Sequence, residues 1–183
     1  DYPSLNWSFE NRDFDIEYLK MSVNLEEQIQ KVVSNKNIDV LALSLVQWLD
    51  GFSIDLDFLK DLKKQNPNLI IMVDGTQFCG STSFDFENSG IDVLGASAYK
   101  WLLAGYGNGF MLFSDQVKNA FTLNNIGFNA ADGDFDKKNT IRFAKKFEPG
   151  HLSSLIFGSL KFSIEFFERI GIDKITEHNR KLS

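Results

Sequence analysis

LIIMVDGTQ, residues 69–77, runs through five apolar side chains and then breaks into a carboxylate, a glycine and two polar groups. Its β-branched, apolar character reads as a β-strand whose polar end lies at the rim of a buried layer. The stretches on either side repeat the pattern. DVLALSLVQW (39–48) is a continuous apolar run bounded by Asp50-Gly51, which suits a strand buried on both faces. DVLGAS (92–97) and GFMLFS (109–114) are shorter strand-like runs. Between them lie helical periods. Asn24 followed by Glu27 is a capping-box signal for a helix to about Ser34, with Leu25, Ile29, Val32 and Val33 as its apolar side. Asp55 to Gln65 is a second amphipathic helix, stopped by Asn66-Pro67. A long helix from Leu152 to Ile170 places Leu155, Ile156, Leu160, Ile164 and Phe167 on one side and ends at Gly171. Strands alternating with helices of this length predict an α/β fold with a mostly parallel sheet.

Composition narrows the function classes. The 183 residues fit one domain, and 43% hydrophobic content with 18 Phe describes a packed globule, not a disordered chain. A net charge of −6 gives no broad electrostatic footprint for nucleic acid. No apolar run approaches the roughly 20 residues of a membrane helix, so no membrane partner is expected. Cys79, the sole cysteine, has no internal disulfide partner, which predicts a reducing, cytoplasmic setting. The polar start without methionine predicts an excised segment.

In parallel α/β sheets ligands gather beyond the carboxyl ends of the strands. Three polar stretches fall at such ends: Gln47 with Trp48, Asp74 to Gln77, and Ser97 to Lys100. Asp74 is either a turn-stabilising residue of the Asp-Gly-Thr step or a rim carboxylate that needs a cationic partner. Gln77 extends that polar surface or caps the turn. Lys100 lies between Tyr99 and Trp101. It is either a lysine snorkelling from a strand end, or an amine whose apolar surroundings make it a nucleophile able to form a Schiff base with a carbonyl. Ser97 offers a hydroxyl for a phosphate or for an ordinary strand-end hydrogen bond. GYGNG (105–109) runs into a strand, so it is not a dinucleotide fingerprint, which must open a helix. It reads as a close turn. His151 and His178 lie far apart with no paired cysteines, so no metal spacing emerges. No G-x-S-x-G elbow supports a serine triad.

Together VDGTQFCG (73–80), the interval 97 − 77 = 20 from Gln77 to Ser97, SAYKW (97–101) and the glycine-rich turn resemble the class V aminotransferase family of pyridoxal-phosphate enzymes. That family includes cysteine desulfurases, kynureninases and isopenicillin N epimerase-like proteins. DYPS (1–4) is similar to its EFPS segment, LALSLVQWLDG (41–51) to ALSHVQYxTG, and KFEPGHLSS (146–154) to RFExGTPN. The resemblance implies a fold type I, three-layer α/β/α large domain, of which residues 1–183 are a partial, cofactor-binding piece. It implies that Asp74 pairs with the protonated pyridine nitrogen, Gln77 bonds the phenolic oxygen, and Ser97 contacts the phosphate. Lys100 would hold pyridoxal 5′-phosphate as an internal aldimine and then act as the base at the substrate's α-carbon. Tyr99 stands where many relatives have histidine and kynureninases have a phosphate-binding tyrosine. His151 replaces a threonine that commonly reaches the partner subunit's phosphate, and Cys79 is not where desulfurases keep their nucleophile. Gln47 and Trp48 are candidates for the substrate side.

The implied protein is a homodimeric enzyme on an amino-acid substrate, of the transaminase, hydrolase, lyase or epimerase type. Family members are about twice this length. The phosphate-binding glycine turn, the residue stacked on the ring and the carboxylate-binding arginine are therefore expected from flanking regions. The alternative is a non-catalytic module that keeps the fold, with the Phe-rich IEFFERI (164–170) helix as an interface.

Overall fold

The computed structural model describes residues 1–122 and 127–182. Helix α1 (Pro3–Glu10) leads into α2 (Leu25–Asn35), β1 (Val40–Ser44), α3 (Leu56–Gln65), β2 (Ile70–Asp74), β3 (Val93–Ser97) and β4 (Gly109–Phe113). Short 3₁₀ turns follow, and α4 (Ser154–Ile170) and α5 (Ile172–Leu182) close the chain. The strands form one sheet in the order β1-β2-β3-β4. The first three are parallel and β4 returns antiparallel to β3, so the sheet is mostly parallel as the alternation predicts.

Pleating divides the sheet into two faces. Leu43 pairs with Val73, and Val73 with Leu94, so these side chains share one face. That face is the core: Leu25, Ile29 and Val33 of α2 and Leu59 and Leu62 of α3 pack there with Ile71, Val73 and Leu94. Burying each such aliphatic side chain contributes about 1.5–3 kcal/mol. The opposite face carries Ser44, Asp74, Gly95 and Ser97, because Ser44 pairs with Asp74 and Asp74 with Gly95. The polar strand ends thus line up on the face away from the core.

Local signals succeed and fail for identifiable reasons. Asp55 caps α3 by accepting from Asp57 N at 2.8 Å, and the helix stops before Pro67. The Asn24–Glu27 capping box does not form. Asn24 Oδ1 instead accepts from Ser22 Oγ at 2.6 Å and Gln28 Nε2 at 3.1 Å, while Glu26 Oε1 accepts from Asp55 N at 2.9 Å. β1 is shorter than its apolar run. After Ser44 the chain folds back, Val46 bridging to Ser53 around Gly51.

Helix α4 keeps Ile156, Leu160 and Phe167 of its apolar side inward but not the rest. Leu155 is 85% exposed and Ile164 43%, whereas Leu160 and Ser163 are buried. The inward side is set by hydroxyls, Ser159 Oγ donating to Ala104 O and Ser163 Oγ to Leu102 O. These contacts dock α4 on the loop that follows Lys100, in a small cluster of Ala98, Ala104 and Leu160. Among the described residues no helix is long and apolar enough to cross a membrane.

Candidate active site at the strand ends

The carboxyl ends of β2 and β3 are joined by one hydroxyl. Thr76 N donates to Asp74 Oδ1 at 2.8 Å, and Ser97 N donates to Thr76 Oγ1 at 3.0 Å. The Asp-Gly-Thr turn therefore stabilises itself through Asp74 and at the same time fixes the start of the Ser97–Lys100 segment. The turn-stabilising contact expected of Asp74 is present. One of its carboxylate oxygens serves the turn, and no lysine or arginine forms an ion pair with it among the described residues. The half-buried carboxylate still calls for a positive partner. Beside it, a Cβ built on Gly95 would meet no atom within 4 Å, so this floor is open.

Lys100 follows the end of β3. Its Nζ lies 5.9 Å from the centre of the Tyr2 ring, and it too has no acidic partner among the described residues. Tyr2 in turn packs edge-on against Trp48 with ring centres 5.7 Å apart. The segment before α1 is pinned across the strand ends by Asp1, whose carboxylate accepts from Ser44 Oγ at 2.5 Å and Gln47 Nε2 at 3.3 Å. Gln47 is thereby buried and committed to Asp1, while Trp48 is bound into an aromatic pair with Tyr2.

Gln77 and Lys100 line one open cavity of about 520 Å³, together with Trp101 and, from the closing helices, Phe167, Ile175 and Asn179. Trp101 Nε1 donates to Gln77 Oε1 at 3.1 Å. The two turns meet so closely that only glycine fits at position 80, where φ is +95° and a Cβ would come within 2.7 Å of the Trp101 backbone. Helix α5 holds the same loop, Asn179 Nδ2 donating to Ser81 O at 2.9 Å and Ser83 N to Thr176 Oγ1 at 2.9 Å. Gly105 and Gly107, at φ +77° and +85°, make the close turn into β4.

Other sequence candidates fall elsewhere. Tyr99 stacks on Tyr106 with ring centres 5.1 Å apart and, like Asp74 and Ser97, is not among the residues lining that cavity. His151 and His178 are exposed, and no cluster of metal-ligating side chains occurs among the described residues. Cys79 lies against Gly75, and burial, helped by the Asp74 charge, pushes its thiol up to about 11. It is a protonated packing group at neutral pH. Tyr2, Thr76 and Trp101 escaped the sequence reading. The aromatic in DYPS was the only available signal, since the other two act through contacts 21 and 24 residues apart.

The sequence model of the family Aminotransferase class-V matches residues 8–183. This chain belongs to that family. It is 25% identical to a probable cysteine desulfurase of Borreliella burgdorferi, over 89% of this chain and 39% of the relative. Its fold is similar to an apo cysteine desulfurase from Thermococcus onnurineus, with a TM-score of 0.76 at 19% identity, covering 92% of this chain and 43% of that one. It is also similar to a C-DES variant with glycine covalently linked to the PLP cofactor, with a TM-score of 0.67 at 18% identity, covering 78% and 39%. The class V chain therefore spans about two-fifths of the length of these relatives, and its fold is that of the fold type I pyridoxal-phosphate enzymes.

Proposed function

We propose that this chain is the greater part of the large domain of a pyridoxal-phosphate enzyme acting on an amino acid, with Lys100 as the residue that binds the cofactor covalently. The observation that carries the reading is the Asp74 carboxylate, which has no lysine or arginine ion pair among the described residues, beside the open floor at Gly95 and on the same sheet face as Ser97. A protonated pyridine nitrogen is the cation such a carboxylate accepts. When bound, pyridoxal phosphate supplies an electron sink for the charge left at a substrate's α-carbon.

The chain's own groups then have distinct tasks. Asp74 holds the proton at the ring nitrogen. Gln77 would donate an N–H to the ring's phenolic oxygen, and the Ser97 hydroxyl would donate to the phosphate, with Tyr99 as the further candidate there. Lys100 would hold the cofactor's aldehyde carbon through Nζ and, when its amine is free, would move the proton at the substrate's α-carbon. Tyr2, beside Lys100, offers an aromatic face for the ring that the sequence alone assigned to a flanking region. A homodimer in a reducing cytoplasm belongs to the same proposal.

Within the family, the chain favours no reaction that needs a thiolate from Cys79, because that thiol stays protonated. Transamination, C–S cleavage and epimerisation otherwise begin from the same bound substrate. Adding pyridoxal phosphate to the purified protein tests the reading. At a hundred times Kd, linkage stabilises by about 2.7 kcal/mol, or roughly 5–10 °C in Tm for a domain this size. No shift in the wild type, or an equal shift in Asp74→Ala, would count against the proposed site.

A further inference from the structure

Trp101 has no part in the roles just described, yet it makes the one side-chain hydrogen bond found on Gln77 among the described residues. Indole N–H is a donor and never an acceptor, so the Gln77 atom facing it at 3.1 Å is the amide oxygen. The other end of the amide, Nε2, carries two N–H donors without a protein partner among the described residues, on a residue that lines the cavity shared with Lys100. We propose that Trp101 is a positioning residue that locks the polarity of the Gln77 amide, so that this point of the cavity presents donors and takes an anionic ring oxygen. The inference rests on the function proposed above and specifies how its ring-oxygen contact is set.

The physical reason is torsional. The terminal amide torsion of glutamine is broad and nearly two-fold, so an unrestrained Gln77 presents oxygen as readily as nitrogen to the cavity. An amide oxygen facing an anionic ring oxygen is repulsive, and only the flipped form binds. The indole removes that wrong form before any ligand arrives. Two features hold the donor itself in place. Gly80 lets the Gln77 loop lie directly on the Trp101 backbone, and α4 grips Leu102 through Ser163.

The test measures binding of pyridoxal 5′-phosphate and of its 3-deoxy analogue, which lacks the ring oxygen, to purified wild type, Trp101→Phe, Gln77→Ala and the double variant. Trp101→Phe keeps the ring and loses the N–H. It is expected to weaken pyridoxal phosphate by about two-fold, because the fraction of Gln77 amides with donors facing the cavity falls from nearly all to about half. It should leave the 3-deoxy analogue unchanged and add nothing in the Gln77→Ala background. Equal losses on both ligands, a loss that persists without Gln77, or no loss at all would overturn the positioning role while leaving the proposed function standing. Failure of the wild type to bind either ligand removes both. A readout without cofactor covers the case in which Trp101→Phe unfolds: the Trp101 indole N–H resonance should move in Gln77→Ala, and an unmoved resonance refutes the hydrogen bond.

Discussion

Replacing Asp92 by alanine removes the acceptor at the centre of the buried polar junction that starts β3. Asp92 is 2% exposed, and its Oδ2 accepts from Lys63 Nζ at 2.7 Å and from Ile71 N at 2.9 Å. Its Oδ1 accepts from Ser114 Oγ at 3.0 Å, so α3, β2, β3 and the end of β4 meet at one carboxylate. Removing one partner of a buried pair costs about 3–5 kcal/mol, because the other charge is left uncompensated. Here Lys63 keeps one contact, donating to Leu69 O at 2.7 Å, and is 13% exposed, which places the loss near the lower end. A cost of about 3 kcal/mol is a large share of a stability of order 5–15 kcal/mol. It lowers Tm by about 6–12 °C for a domain of this length. Thermal and urea unfolding followed by circular dichroism measure it. Asp61→Ala is the control: its pair with Lys64 is 63–65% exposed, so solvent screening leaves it contributing little. An Asp92→Ala loss no larger than that of Asp61→Ala would refute the reasoning.

Cys79 gives a prediction in pH. Its folded thiol titrates near 11, above the unfolded value of about 9, so the protonated form is favoured by the fold. Stability from this group is complete below about pH 9 and is lost as pH rises through 11, by up to about 3 kcal/mol. Wild type should therefore lose more stability than Cys79→Ala between pH 9 and 11, and parallel curves would contradict the burial argument. Alkylation of Cys79 at pH 8 should proceed about a hundred-fold slower than a free cysteine, read by mass spectrometry. Gly80→Ala should cost about 2 kcal/mol or more, since it strains a positive φ and drives a Cβ into the Trp101 backbone. Denaturation measures that cost, and a neutral substitution would show that the Gln77 and Trp101 turns are not in close contact.

What the sequence made legible follows from how each feature is encoded. Asp74 and Ser97 were readable because each ends a buried run, where a polar side chain marks the strand's rim. Strand direction was not: nothing local in GFMLFS distinguishes a parallel strand from the antiparallel β4. On α4 the apolar period placed Ile156, Leu160 and Phe167 inward correctly and Leu155 and Ile164 wrongly, because Ser159 and Ser163 also face inward to carbonyls, which an apolar period does not register. Asp92 passed as an ordinary strand start, because its partners Lys63, Ile71 and Ser114 are brought together only by the fold. Asn24 competed for Ser22 and Gln28 and left the helix end without its expected cap. For the site, the residue types and their spacing pointed to Lys100, Asp74, Gln77 and Ser97. The Thr76 bridge, the Tyr2 ring and the Trp101 indole required three dimensions.

The most direct test of Lys100 is reduction in place. Purified protein is incubated with pyridoxal 5′-phosphate, treated with borohydride, digested and mapped by mass spectrometry. The expected result is a phosphopyridoxyl group on Lys100 alone, formed at low cofactor excess and absent from Lys100→Ala. Label spread over exposed lysines such as Lys64 and Lys161, with Lys100 no more modified than they are, would contradict it.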